Sequence, residues 1–324
     1  MPMEMTAGTD DDGRRLDRLL RKALPELPLS AIHRLLRTRR VLVDGVPAGG
    51  DLRVRTGSTI SVPGDFREPA VQAGPGGGMP DIVWEGAGLL VLNKPRGIAA
   101  HGPGSLETQA RAYLRDRLPR SLSFKPGPLH RLDKPTSGVI IFSASLAGAR
   151  RVSALIRTGG IKKRYLALVD GILDSPAVWE DPLVRDHTRR KTLRAAGYGG
   201  KAKNARTRVF PLAVSSAHSL IMAETDTGRT HQIRAQAAAR GHPLSGDIKY
   251  GGTFLEGGFL LHALSLEFSG EGLPRTLEAP PPGAFLRRIR EFFGDTAVKG
   301  LTGRPGLPCH SYVPPLAAVQ TTRR

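Results

Sequence analysis

One cysteine, Cys309, is the only thiol in this 324-residue chain. With a single thiol there can be no intramolecular disulfide and no thiolate metal cluster, which fits a reducing compartment and predicts a cytoplasmic location. Long apolar runs are also missing. The longest are short, such as Leu89-Leu90-Val91-Leu92, against the roughly 20 residues of a membrane helix, so no membrane partner is expected. The acidic segment from Met1 to Asp12 lacks the apolar centre of a secretion signal. No internal repeat, dinucleotide-binding motif or metal-ligand spacing is present. Acidic residues are scarce: 29 Asp+Glu stand against 48 Lys+Arg, a formal charge of +19. An excess of that size points to a polyanionic partner, nucleic acid before anionic membrane.

What is present divides the chain. Residues 1–13 are expected to form a flexible N-terminus and 14–63 a small domain. A linker follows over 64–80, then a catalytic domain over 81–297 and a loosely ordered basic tail over 298–324. In the small domain Leu16, Leu19, Leu20 and Leu24 recur at helical spacing. Ser30 has the chemistry to cap a second helix carrying Ile32, Leu35 and Leu36. Val41-Leu42-Val43, the turn Asp44-Gly45 and Thr59-Ile60-Ser61-Val62 supply short strands. Arg18, Lys22, Arg34, Arg37 and Arg40 give this unit a basic face, read either as solvated surface or as an RNA contact. The Gly74-Pro75-Gly76-Gly77-Gly78 stretch reads as linker rather than phosphate loop, because no strand precedes it.

From Asp81 onward the pattern is α+β: strand-like runs at 89–92, 139–142, 165–169 and 220–224 alternate with helical stretches. The most informative segment is His130-Arg131-Leu132-Asp133-Lys134-Pro135-Thr136-Ser137-Gly138, which feeds an apolar run, Val139-Ile140-Ile141-Phe142. Pro135 fixes one dihedral and Gly138 permits conformations that other residues avoid, so Asp133 is expected on a rigid turn at the mouth of a sheet. Lys94-Pro95-Arg96-Gly97 follows the first strand, and Lys94 is read as a phosphate contact or a solvated turn lysine. Tyr165 enters a run that is apolar on both faces. In Asp226-Thr227-Gly228-Arg229-Thr230-His231-Gln232-Ile233-Arg234, Thr230 has N-cap chemistry, and Gly241 and Pro243 mark the end of a helix of roughly ten residues. A hydrolase built on Ser137, His130 and Asp133 is a rival reading, weakened by the absence of a G-x-S-x-G elbow.

These strings, in this order, resemble the RluA family of pseudouridine synthases. The matching motifs are H-R-L-D-x-x-T-S-G, N-K-P-x-G, K-x-Y-x-A-L-V and T-G-R-T-H-Q-I-R with its downstream G-D-x-x-Y-G. One departure stands out: Gln236 occupies a position where that family commonly has histidine. The N-terminal pattern resembles the S-four-like RNA-binding domain, named for a small-subunit ribosomal protein. The resemblance implies a catalytic domain with a mixed, mainly antiparallel sheet flanked by helices, plus a small α+β RNA-binding domain. It places the catalytic aspartate on Asp133, the active-site tyrosine on Tyr165 and the active-site basic residue on Arg234.

The implied reaction isomerises uridine in structured RNA, with large-subunit ribosomal RNA as the expected partner. Nothing is oxidised and no group is imported, so no cofactor and no metal are expected. Arg131, Arg189, Arg190, Lys191 and Arg229 join the N-terminal cations and Lys94 as candidate RNA contacts, Arg189 to Lys191 within a basic stretch that runs to Arg208. The expected assembly is a monomer. The alternatives are an inert RNA-binding protein and a synthase acting on transfer RNA.

Overall fold

The computed structural model describes residues 2–64, 78–195 and 202–302. Most of the expected linker and all of the tail beyond residue 302 lie outside those residues.

The N-terminal unit comprises β1 (Met3–Thr6), α1 (Leu16–Ala23), α2 (Leu29–Arg37), β2 (Leu42–Val43), β3 (Val46–Pro47) and β4 (Thr59–Val62). The strands pair in the order β1-β4-β2-β3. Asp44 and Gly45 both adopt positive φ (52° and 78°), the left-handed pair that closes a two-residue hairpin between β2 and β3. Leu16, Leu19 and Leu20 of α1 and Ile32 and Leu36 of α2 bury against Val43, Ile60 and Val62. Two expectations need correction. The first residues are not a loose terminus: β1 pairs with β4 from Met3↔Val62 to Thr6↔Thr59, and Met5 and Ala7 are core residues. The alternation that buries them is too short to stand out in an acidic segment. The second helix begins at Leu29 with Pro28 at its N-cap, so Ser30 lies inside the first turn and caps nothing.

The larger unit contains β5 (Ile82–Gly86), β6 (Leu89–Lys94), α3 (Leu106–Leu114), β7 (Ser137–Ser143), α4 (Leu146–Thr158), β8 (Ile161–Asp170), β9 (Ala177–Asp186) and β10 (Lys191–Arg194). It continues through β11 (Lys203–Val214), β12 (His218–Thr225), α5 (Gln232–Ala238), β13 (Leu261–Phe268), β14 (Thr276–Glu278) and α6 (Gly283–Thr302). Nine strands run in the order β10-β9-β11-β12-β8-β13-β7-β6-β5, with β14 paired to β13. Among the described strands only β13 and β7 pair in parallel, so the sheet is mixed and mainly antiparallel.

Alternation along β8 sets the layers. Leu166 and Leu168 pack with Phe285, Ile289 and Phe293 of α6. Ala167 and Val169 pack with Ile233 and Ala237 of α5. The two helices therefore cover opposite faces of one strand, and Tyr165 falls on the α5 face. The last helix is longer than its apolar pattern over 284–293 suggests, and it crosses the expected boundary at 297. Gly294 (φ 77°) breaks it, and a second segment buries Ala297 and Val298 in the same core.

Candidate active site

Asp133 occupies the turn before β7, where the Thr136 amide donates to the Asp133 carbonyl at 2.9 Å. Gly138 holds φ at 110°, and a Cβ there would sit 2.1 Å from the Ala263 carbonyl oxygen. Only glycine permits both that dihedral and the close approach of β13 to β7. The Asp133 turn is buttressed from the segment after β6. The Lys94 Nζ donates to the carbonyls of Pro95 (3.0 Å), Ile98 (2.7 Å) and Lys134 (3.2 Å). The Gly97 amide reaches the Lys134 carbonyl at 2.9 Å, and Arg96 reaches that of Pro135 at 3.0 Å. Arg96 also donates to the Phe259 and Gly257 carbonyls. Lys94 is fully buried, which corrects both of its sequence readings: it is neither a phosphate contact nor a solvated turn lysine. Burial lowers its pKa to about 8, against the opposing pull of Asp133.

Arg234 projects from α5 and is buried with two carboxylates. Its Nε and Nη2 form a fork on Asp247 (2.6 and 2.9 Å), and its Nη1 donates to Asp133 Oδ2 at 2.8 Å. The guanidinium lies between aromatic rings, with its Cζ 4.4 Å from the Phe259 centroid and 4.9 Å from that of Tyr250. Burial alone would lower its pKa, but the bonds to Asp247 and Asp133 prevail and raise it. A planar fork held on one carboxylate leaves one donor direction fixed for the other. The second oxygen of Asp133, Oδ1, faces the Nε2 of His231 at 3.7 Å.

Tyr165 stands between two alanines, Ala223 of β12 and Ala263 of β13, which are its direct cross-strand partners. Tyr165 also lines a pocket of about 240 Å³, together with Asp133, Arg234, Lys163, His231, Arg131 and Arg229. Burial, and secondarily Asp133, raises the pKa of Tyr165, which keeps its hydroxyl protonated at neutral pH. Two residues earlier on the same strand face, Lys163 is buried and its pKa is lowered by that burial.

Lys163 and His231 are the pocket residues that motif reading left without a role. Lys163 carried a signal in its i, i+2 spacing from Tyr165 on a strand. His231 carried none, because its place depends on a left-handed backbone (φ 55°) at the start of α5. It occupies the N-cap expected for Thr230, and no side chain caps the helix. α5 is also shorter than read, at seven residues. His231 Nδ1 contacts the Tyr250 hydroxyl at 2.9 Å, and burial lowers its pKa to about 4. Gln236 fills the polar site where histidine was expected. Its Nε2 donates to Asp181 (2.8 Å) and the Trp179 carbonyl (3.0 Å), while Oε1 accepts from Thr207 at 2.6 Å.

The hydrolase reading fails on geometry. Ser137 contacts His262 at 3.0 Å, not His130. The Nε2 of His262 lies 2.9 Å from the Ala279 carbonyl, which can only accept, so Nε2 carries the proton, Nδ1 accepts a hydrogen bond from the serine hydroxyl, and no carboxylate completes a triad. His130 accepts the Ile141 amide at 3.0 Å. Of the RNA candidates, Arg18, Lys22, Arg34, Arg37 and Arg40 are exposed on or just after α1 and α2. Arg131 and Arg229 line the pocket, Arg189 and Arg190 are exposed, and Lys191 lies 4.7 Å over the Tyr250 ring.

The RNA pseudouridylate synthase family profile matches residues 88–239. The ribosomal large subunit pseudouridine synthase C of Salmonella typhimurium is 31% identical over 304 residues, covering 87% of this chain and 93% of that protein. This chain belongs to the RNA pseudouridylate synthase family. The synthase is also 29% identical to the namesake protein of Vibrio cholerae, over 84% of this chain and 91% of that one. The solved structure of human RNA pseudouridylate synthase domain containing 4 shares its fold. The TM-score is 0.54 at 23% identity, over 65% of this chain and 92% of that one. As a member of this family the synthase is an isomerase acting on RNA.

Proposed function

We propose that this synthase converts a uridine of large-subunit ribosomal RNA to pseudouridine in the Asp133 pocket. The observation that carries the site assignment is the bridge Asp247–Arg234–Asp133 beside Tyr165. The relatives' names, which specify the ribosomal large subunit, support the substrate. Isomerisation breaks the bond from the ribose anomeric carbon to N1 of uracil and forms one to C5. The C5 proton is lost and N1 gains one, so atoms balance with no co-reactant.

Arg234 holds Oδ2 of Asp133, which leaves Oδ1 for the ribose, either as nucleophile at the anomeric carbon or as base at its neighbour. Tyr165 offers a ring to stack on the base and a protonated hydroxyl to take part in the final proton transfer. The uridine must be flipped out of its stack, at a cost of a few kcal/mol that backbone contacts offset. Arg131, Arg229 and Lys163 at the pocket supply those contacts locally. Arg189, Arg190, Lys191 and the basic face of α1 and α2 extend them, with the N-terminal unit as an S-four-like RNA-binding module.

Asp133→Ala should abolish pseudouridine formation on a ribosomal RNA transcript while RNA affinity stays near that of the unaltered protein, because binding is spread over many cations. Substantial turnover by that variant would remove Asp133 from the chemistry.

A further inference from the structure

The N-terminal unit and the synthase domain meet at a contact between residues 110 apart in sequence. Asp11 is fully buried there, a place where a carboxylate needs a full set of hydrogen bonds. It accepts from Ser121 Oγ (2.8 Å), the Leu122 amide (2.8 Å), the Ser123 amide (3.0 Å) and Ser123 Oγ (2.5 Å). From its own side it accepts the Gly8 amide at 2.9 Å. Its neighbour Asp10 accepts the Leu146 amide at 2.8 Å, at the start of α4, where helix amides lack partners and the dipole favours an anion. Gly8 lies so close to the 120–121 backbone that a Cβ would fall 1.9 Å from the Arg120 carbonyl oxygen. Leu122, from the synthase domain, packs against the N-terminal core.

Both elements that receive this contact lead to the pocket. Along α4, Leu146 is followed by Ile156, a pocket-lining residue, a span of about 15 Å at helical rise. The strand-like segment after Ser123 reaches Leu129 and His130, which line it too.

We propose that Gly8, Asp10 and Asp11 form a dock that fixes the basic helices at one distance and angle from the pocket, and so selects which uridine of a folded RNA reaches Asp133. This rests on the reading that the pocket modifies RNA and that the basic face of α1 and α2 touches it. A loose tether would raise only the local concentration of the pocket near the RNA, whereas a fixed spacing discriminates between positions along it.

The test uses the full chain carrying either Gly8→Val or the pair Ser121→Ala and Ser123→Ala. The serine pair leaves the N-terminal sequence intact, so it reads the dock even if Gly8→Val disturbs folding of that unit. Small-angle scattering without RNA should show a larger radius of gyration in both variants. On a short stem-loop too small to span both surfaces, kcat should stay within about twofold of the unaltered protein. On a full ribosomal transcript, modification at secondary uridines should rise about tenfold relative to the main site, equivalent to about 1.4 kcal/mol of lost discrimination. An unchanged radius of gyration in the serine variant would overturn the dock. An expanded molecule with an unaltered spectrum of modified sites would overturn its selective role. Absence of turnover by the unaltered protein on both RNAs would instead sink the assignment of the pocket, while the scattering result still judged the dock.

Discussion

Arginine is used in opposite ways in the two halves of this synthase. On α1 and α2, Arg18, Arg34 and Arg37 stand in solvent, and the leucines between them make the core. In the synthase domain Arg234 and Arg164 are instead buried and committed, while Arg131 and Arg229 at the pocket stay exposed. Arg234 joins Asp247 to Asp133, and Arg164 joins Glu224 to Glu267 across three strands. The basic stretch after Tyr165 is divided between these uses. Arg208 pairs with the buried Glu224, while Arg190 stands exposed, as does Arg194 although it pairs with Asp181. The lesson is that a net charge of +19 measures attraction to a polyanion only after the buried, paired cations are set aside.

The sharpest break of this contrast is Arg234→Met. It leaves the carboxylates of Asp133 and Asp247 together without their cation, so we expect a loss of stability of about 3–5 kcal/mol along with loss of turnover, read by urea titration and product yield. Arg234→Lys keeps the charge but cannot make the fork on Asp247, and it should recover stability better than turnover. Equal recovery of both would reduce Arg234 to a structural ion pair.

Lys94 tests the buried class by pH. Its folded pKa, about 8, lies below its ordinary value of 10.5, so between those pH values the unfolded chain binds more protons and stability rises with pH. Below pH 8 the protein carries the full cost of burying the charge. Relative to Lys94→Met, the protein should gain on the order of 3 kcal/mol between pH 8 and 10.5. Parallel stability curves for the two proteins would show that Lys94 is not charged by a shifted equilibrium at all.

The exposed class should respond only through RNA. Replacing Arg18, Lys22, Arg34, Arg37 and Arg40 together with glutamine should leave stability within about 0.5 kcal/mol. It should flatten the salt dependence of RNA affinity by about 0.9 in slope for each phosphate no longer neutralised. Identical slopes would make that face a solvated surface. A smaller effect is expected from Tyr165→Phe. The ring stays, so RNA affinity should be unchanged, while glycosidic cleavage outlives the final proton transfer and an intermediate accumulates on the RNA. Full product yield at the original rate would leave Tyr165 a packing residue.

Removing the N-terminal unit altogether is not a neutral version of these tests. Its deletion would expose Leu122 and strip Ser121 and Ser123 of the Asp11 carboxylate.

The sequence by itself determined whatever depends on neighbours a few residues away. Helical spacing of Leu16, Leu19 and Leu20 marked α1. Pro135 and Gly138 marked the turn that carries Asp133, and unbroken apolar runs marked the central strands. The order of the motifs marked the family. Tertiary structure alone decided which groups meet across the sheet. It sealed Lys94 under the Asp133 turn, set Asp247 behind Arg234, gathered Asp133, Tyr165 and Arg234 around one pocket, and placed Asp11 against a loop 110 residues away. The physical reason is range: dihedral preference and amphipathic period act within a turn or two of chain, whereas burial and ion pairing are set by surfaces that come together only when the sheet is built.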